Sequence, residues 1–167
     1  MKASELMFGD LVLYKYQRVS MVPSGENELS KTVEDFEQVI RVETVDGNSV
    51  SYKTKTADGP GLEYYVTVPE ENLRPILLTT EILKKNNFKD ATTNLMADYW
   101  CEDHDYSIGV NLNATSDKNK AILVSNKITK FKVLLQEARS STNQKHFGVH
   151  DLQHAIRTAG VNKEIVV

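Results

Sequence analysis

The segments LTTEILKKNNF (residues 78–88) and FGVHDLQHAIRTAG (residues 147–160) decide how this chain is read, because each spells out a helix with its own start and stop. In the first, Thr79 is the N-cap, Leu78 and Leu83 flank it as a hydrophobic staple, and Glu81 stands in the first turn, where the helix dipole favours an acid. Lys84 and Lys85 occupy the last turn, Asn87 tolerates the left-handed conformation that stops a helix, and Phe88 then falls where it can touch Leu83. The second segment repeats this logic, with Gly148 as cap, Phe147 and Leu152 as staple, Asp151 as the early acid and Gly160 as the terminator, closed by Ile156 and Val161. On a helical projection Val149, Leu152, Ala155, Ile156 and Ala159 share one face, whereas His150, His154 and Arg157 fall on the other. The pattern predicts a helix that packs by one side only and turns its histidines to solvent or to an interface.

Outward from the first helix, residues 10–75 read mostly as strand. LVLYKY, EQVIRVETV, SVSYKTK and EYYVTV are rich in valine and tyrosine and are separated by turn signals. Asp46-Gly47 predicts a tight hairpin, Asp58-Gly59-Pro60-Gly61 a second turn, and Pro69 to Leu73 a short helical turn. The polar stretch from Pro23 to Asp35, with Gly25, Glu26, Asn27 and Glu28, reads as a long loop and as the best place for a binding loop in this half. Four or five short antiparallel strands of this kind curl into a small barrel, and the GDLV opening resembles SH3-like barrels.

Beyond Phe88, LMADYWCE and YSIGVNLN flank a charged turn at Asp103 to Asp105, and AILVS begins another strand. ITKFKVLLQEA suits two periods: Phe131, Val133 and Leu135 alternate as in a strand, while Ile128, Phe131, Leu135 and Ala138 fit a helix. Strand is preferred because Asn126-Lys127 makes a turn after AILVS. The fold class read from the sequence is α+β, with a small antiparallel β-barrel over residues 1–77 and, over residues 78–167, an antiparallel sheet with a capped C-terminal helix.

Three stretches, ASELMFGDLVLY, NLRPILLTTEILKKNNFK and VHDLQHAIRTAG, resemble a group of uncharacterised small proteins from gut anaerobic bacteria and their phages. In that group a glycine turn and strand open the chain, a PI-L-TEE-L-NGF segment follows, and a VHQLQN helix comes near the end. The stretches keep that order and cover under a third of this chain. The chain departs from the pattern at His154, where the group has Asn, and in the AIRTAG that follows. The resemblance implies a fold and a phage or mobile-element setting, and it carries no established activity.

At 167 residues the chain can build one sizeable core or two small subdomains. With 40% hydrophobic residues, 26% charged and a net charge of -3, it has the balance of a soluble globular protein, and that charge does not favour nonspecific nucleic-acid binding. Cys101 is the single cysteine, so no internal disulfide forms. Glu5, Gly9 and Asp10 interrupt any apolar run of signal-peptide length, and no apolar stretch approaches the roughly 18 residues of a membrane span. A cytoplasmic location with no membrane partner is the expectation.

Several constellations suggest chemistry. His150-Asp151-Leu152-Gln153-His154 has the spacing of the zinc-protease motif H-E-x-x-H, in which two histidines one turn apart share a metal and the glutamate activates water. Here the acid is an aspartate, one methylene shorter, at a position that helix capping also favours, and Arg157 adds a charge opposed to a bound cation. Asp98, Glu102, Asp103 and Asp105, with Cys101 and His104, form the densest acidic cluster, but they lack the glycine and spaced glutamate of a calcium loop. Tyr52, Lys53, Lys55, Tyr64 and Tyr65 interleave aromatics with positive charge, a combination that can stack bases and neutralise phosphates and that also suits the outer face of any antiparallel sheet. Neither G-x-x-x-x-G-K-[ST] nor G-x-G-x-x-G occurs, and serine nucleophile elbows are absent. With no complete catalytic set and no cofactor implied, the reading is a non-enzymatic accessory protein that acts through contacts with an unknown protein partner. The alternatives are a nucleic-acid-binding barrel using Tyr52, Lys53, Lys55 and Tyr64, and a zinc hydrolase using His150 and His154.

Overall fold

A computed structural model describes residues 1–25, 28–55, 62–91, 97–113, 119–136 and 146–167. The turn expected over residues 58–61 lies outside them, as does Ala138. The chain is α+β and divides into two compact units, Met1–Ile76 and Leu77–Val167.

The first unit begins with a short 3-10 turn at Ala3–Glu5 and continues into β1 (Leu11–Gly25), β2 (Glu28–Arg41), β3 (Thr44–Asp46), β4 (Ser49–Lys55), β5 (Glu63–Pro69) and β6 (Leu73–Arg74). These make two antiparallel three-stranded sheets, ordered β2-β1-β6 and β3-β4-β5. No closed barrel is seen among the described residues. The sheets instead share a core of Val12, Ile40, Val50, Tyr52, Val68 and Leu73, closed by Ala3 and Leu6. The hairpin foreseen at Asp46-Gly47 joins β3 to β4, with Gly47 at a positive φ of 55°. The turn foreseen after Pro69 is a 3-10 turn at Glu70–Asn72.

The long loop expected from Pro23 to Asp35 is a correction. Glu26 and Asn27 lie outside the described residues; residues 23–25 and 28–35 belong to β1 and β2, which stay paired from Leu11↔Arg41 out to Gly25↔Glu28, with one irregularity between Pro23 and Gly25. The composition is polar because water reaches both faces of the ribbon; the backbone is a ladder all the same, since antiparallel pairing bonds the N–H and C=O of every second residue whatever its side chain.

The second unit carries α1 (Thr80–Lys85), β7 (Lys89–Asp90), β8 (Tyr99–Glu102), β9 (Tyr106–Asn111), β10 (Ala121–Asn126), β11 (Lys132–Gln136) and α2 (Val149–Thr158). Its five strands form one antiparallel sheet, ordered β11-β10-β9-β8-β7. Of the ambiguous stretch, Lys132–Gln136 is strand as preferred, while Ile128 to Phe131 form the turn that leads into it. Cross-strand rungs such as Cys101, Ile108, Val124 and Val133 line the face on which α2 packs.

Both helices carry the stops and starts read from sequence. The Thr79 side chain accepts from the Ile82 N–H at 3.4 Å, Asn87 takes φ of 65°, and the Phe88 N–H donates to the Leu83 carbonyl at 3.0 Å, with Leu83 and Phe88 both buried. In α2 the Gly148 N–H donates to Asp151 Oδ2 at 2.7 Å, Gly160 takes φ of 66°, and the Val161 N–H reaches the Ile156 carbonyl at 3.0 Å. The expected apolar face is buried throughout. The expectation that α2 packs by one side only is corrected, because His150 and Gln153 are buried as well.

Candidate functional site

The residues suggested for nucleic-acid contact separate onto two faces. In the β4–β5 ladder Lys53 stands opposite Tyr65 and Lys55 opposite Glu63, whereas Tyr52 stands opposite Val66 and Thr54 opposite Tyr64. Residues directly opposite in an antiparallel pair share a face, so Lys53 and Lys55 lie on one side and Tyr52 and Tyr64 on the other. Tyr52 belongs to the core, its hydroxyl accepts from Gln38 Nε2 at 2.7 Å, and burial pushes its phenol above the ordinary value. The Lys53 ammonium sits 5.5 Å from the Tyr65 ring centre and 3.7 Å from Glu63, and the negative charge these can carry raises its pKa. The four residues therefore do not present a single stacking and phosphate-binding surface.

The zinc alternative places His150 and His154 edge to face, with ring centres 6.0 Å apart, His150 buried and His154 half-buried. His150 Nε2 lies 3.6 Å from Asp151 Oδ1. A catalytic zinc takes three protein ligands and an open position, and among the described residues no group of three or more His, Cys, Asp or Glu converges on a common point.

The acidic cluster is a clasp between two turns. Lys127 Nζ donates to Glu102 Oε1 at 2.6 Å and to the Asp103 carbonyl at 2.8 Å, and its own N–H donates to the Asp105 carbonyl at 2.8 Å. The Lys127 and Trp100 hydrogen bonds hold the Glu102 carboxyl below its usual value. Cys101 is buried in the adjoining strand.

What the sequence did not single out as structure is the β1–β2 ribbon. β6 pairs only with Leu13 and Tyr14, so beyond the Tyr16↔Phe36 rung β1 and β2 have only each other as sheet partners among the described residues. From Gln17 to Gly25 the arm extends about 25 Å at the usual rise per residue. Every residue of the arm described for exposure is exposed, apart from half-buried Ser20.

The two faces of this ribbon differ. One carries Tyr14, Tyr16 and Phe36 at its base, stacked with centre-to-centre distances of 5.1 Å and 5.6 Å, and Tyr52 tilted against Tyr14 at 6.0 Å. Tyr14, Tyr16 and Phe36, with Asn72, help to line an open groove of about 590 Å³. The other face bears the ion pair Lys15–Glu37, the hydrogen bond from Gln17 Nε2 to Asp35 Oδ1 at 2.9 Å, and then the rungs Val19↔Val33, Met21↔Lys31 and Pro23↔Leu29. Val19, Met21, Leu29 and Val33 are between 50% and 68% exposed, which leaves an apolar row uncovered at the end of a two-stranded arm. From Gln17 to Asp35 the arm has two bases, Arg18 and Lys31, against four acids, Glu26, Glu28, Glu34 and Asp35, so it does not suit a phosphate backbone. Alternation of Leu29, Lys31, Val33 and Asp35 was the available signal, but its period-two pattern mixes charge with apolar residues on one face.

Among the described residues no helix is long and apolar enough to cross a membrane, which says nothing of membrane-crossing strands. No model of a known protein family, no curated protein and no solved structure matches this chain.

Proposed function

We propose that this is a non-enzymatic accessory protein that acts by binding another protein chain, and that the β1–β2 arm is its contact surface. The observation that supports this reading is the row Val19, Val33, Met21 and Leu29, exposed on a ribbon that reaches past its own sheet. An isolated two-stranded hairpin is marginal in water, and fully burying one such side chain is worth roughly 1.5–3 kcal/mol, so covering the row stabilises both the arm and a complex. The resemblance to small proteins of gut anaerobes and their phages supports a phage or mobile-element setting for that contact.

The reading is tested by shortening the arm. Joining Tyr16 directly to Phe36 through an Asn-Gly turn keeps the last rung at the base and removes everything beyond it. In nuclease-treated lysate of its own host, the full chain should elute in a complex larger than its 18.8 kDa, and the shortened chain should elute at monomer size. Identical elution of the two chains would refute the arm as the contact. Loss of the complex on nuclease treatment would favour nucleic acid instead.

A further inference from the structure

Resting on that reading, we propose that the occupant of the arm is a second copy of this chain, with the two apolar faces packed antiparallel about a twofold axis at the Val19↔Val33 rung. The charges on this face carry the inference. Lys31 lies two residues to one side of Val33 and Asp35 two residues to the other, and both project from the same face as Val33. They are about 13 Å apart along one strand, too far to pair with each other. The cross-strand neighbour of Lys31 is Met21, which offers it no charge.

A twofold axis that reverses the ribbon at Val33 lays the Met21↔Lys31 rung of one copy over the Gln17↔Asp35 rung of the other. Because such an interface is isologous, the contact occurs twice: each Lys31 meets the other copy's Asp35, and the Val19 and Val33 pairs of the two copies bury one another between them. Gln17 already holds Asp35 through its amide, which orients the carboxylate on this face. The same rotation sets Leu29 of one copy over the aliphatic stems of Lys15 and Glu37 in the other. Parallel stacking would place Lys31 over Met21 and leave both charges unmatched, so the charge pattern selects the antiparallel arrangement.

Sedimentation equilibrium of the purified full chain, from micromolar to several hundred micromolar at low and moderate salt, reads the proposal directly. The wild type should dimerise, and Val33→Asp, at an exposed position where folding is not at stake, should be monomeric throughout. Lys31→Glu and Asp35→Lys should each weaken the dimer by about tenfold, and the double exchange should recover most of that loss, because it restores the pairing with its sign reversed. A monomeric wild type, a dimer indifferent to Val33→Asp, or a double exchange no better than either single one would each overturn the proposal. If the wild type is monomeric while the lysate complex still depends on the arm, the self-pairing fails and the protein-docking reading stands; if the arm affects neither, both fail.

Discussion

Lys127 is a single side chain that closes two turns of the second sheet at once, and its effect on Glu102 can be read by titration. The Glu102 pKa is lowered in the folded chain, so the interaction contributes fully above the ordinary carboxylate range and is lost as pH falls through the depressed value. Carboxyl-detected NMR should find Glu102 titrating below an ordinary glutamate, and Lys127→Met should return it towards the usual range; no change on that substitution would remove the clasp. Asn126 acts similarly without charge. Its amide donates to the Ala159 and Gly160 carbonyls, both at 3.0 Å, while its oxygen accepts from the Ile128 and Thr129 N–H groups. Asn126→Ala strands two carbonyls at the end of α2 and two N–H groups in the turn after β10, and should cost roughly 1–3 kcal/mol in denaturant unfolding. Gly109 is a third such position: a Cβ there would lie 2.7 Å from the Trp100 ring and 2.9 Å from the Ala97 methyl. Gly109→Ala should therefore cost about 1–3 kcal/mol through overpacking, and a neutral result would show that the Trp100 ring moves freely.

For the elements, α2 separates what can be read from sequence from what cannot. Leu152 is fully buried, and Leu152→Ala should lower stability by about 2–5 kcal/mol. His150→Ala should cost more than His154→Ala, measured in the same unfolding series, because His150 is buried and His154 only half so. Equal effects would mean that the histidine pair faces outward as the sequence suggests. The cap and stop residues Thr79, Asn87, Gly148 and Gly160 were legible because they act on their own neighbours in the chain. The burial of His150 and Gln153 was not, since it depends on what α2 packs against. The β1–β2 arm was hidden for a related reason. A ribbon solvated on both faces needs no apolar alternation, so residues 23–25 and 28–35 carry the composition of a loop and the hydrogen bonding of a ladder. The Tyr52, Lys53, Lys55 and Tyr64 grouping failed on parity alone, because neighbouring strand residues point to opposite faces.

At the scale of the whole molecule, each unit has its own sheets and the arm stands apart from the core that supports it. The core residues Val12, Ile40, Val50, Val68 and Leu73 all lie on the near side of the Tyr16↔Phe36 rung. The chain shortened at that rung should accordingly keep its near-ultraviolet circular dichroism and unfold cooperatively, with a midpoint close to that of the full chain. Collapse of the first unit on shortening would show that the arm is part of the fold rather than an appendage to it. The claim that the arm meets another protein is tested most directly by position-specific photo-crosslinking in the native host. A photoreactive residue at Met21 or Val33 should yield discrete protein adducts, while the same residue at Ser51 or Thr67, on the β4–β5 ladder, should yield none. Adducts from the β4–β5 positions with none from the arm would contradict the account.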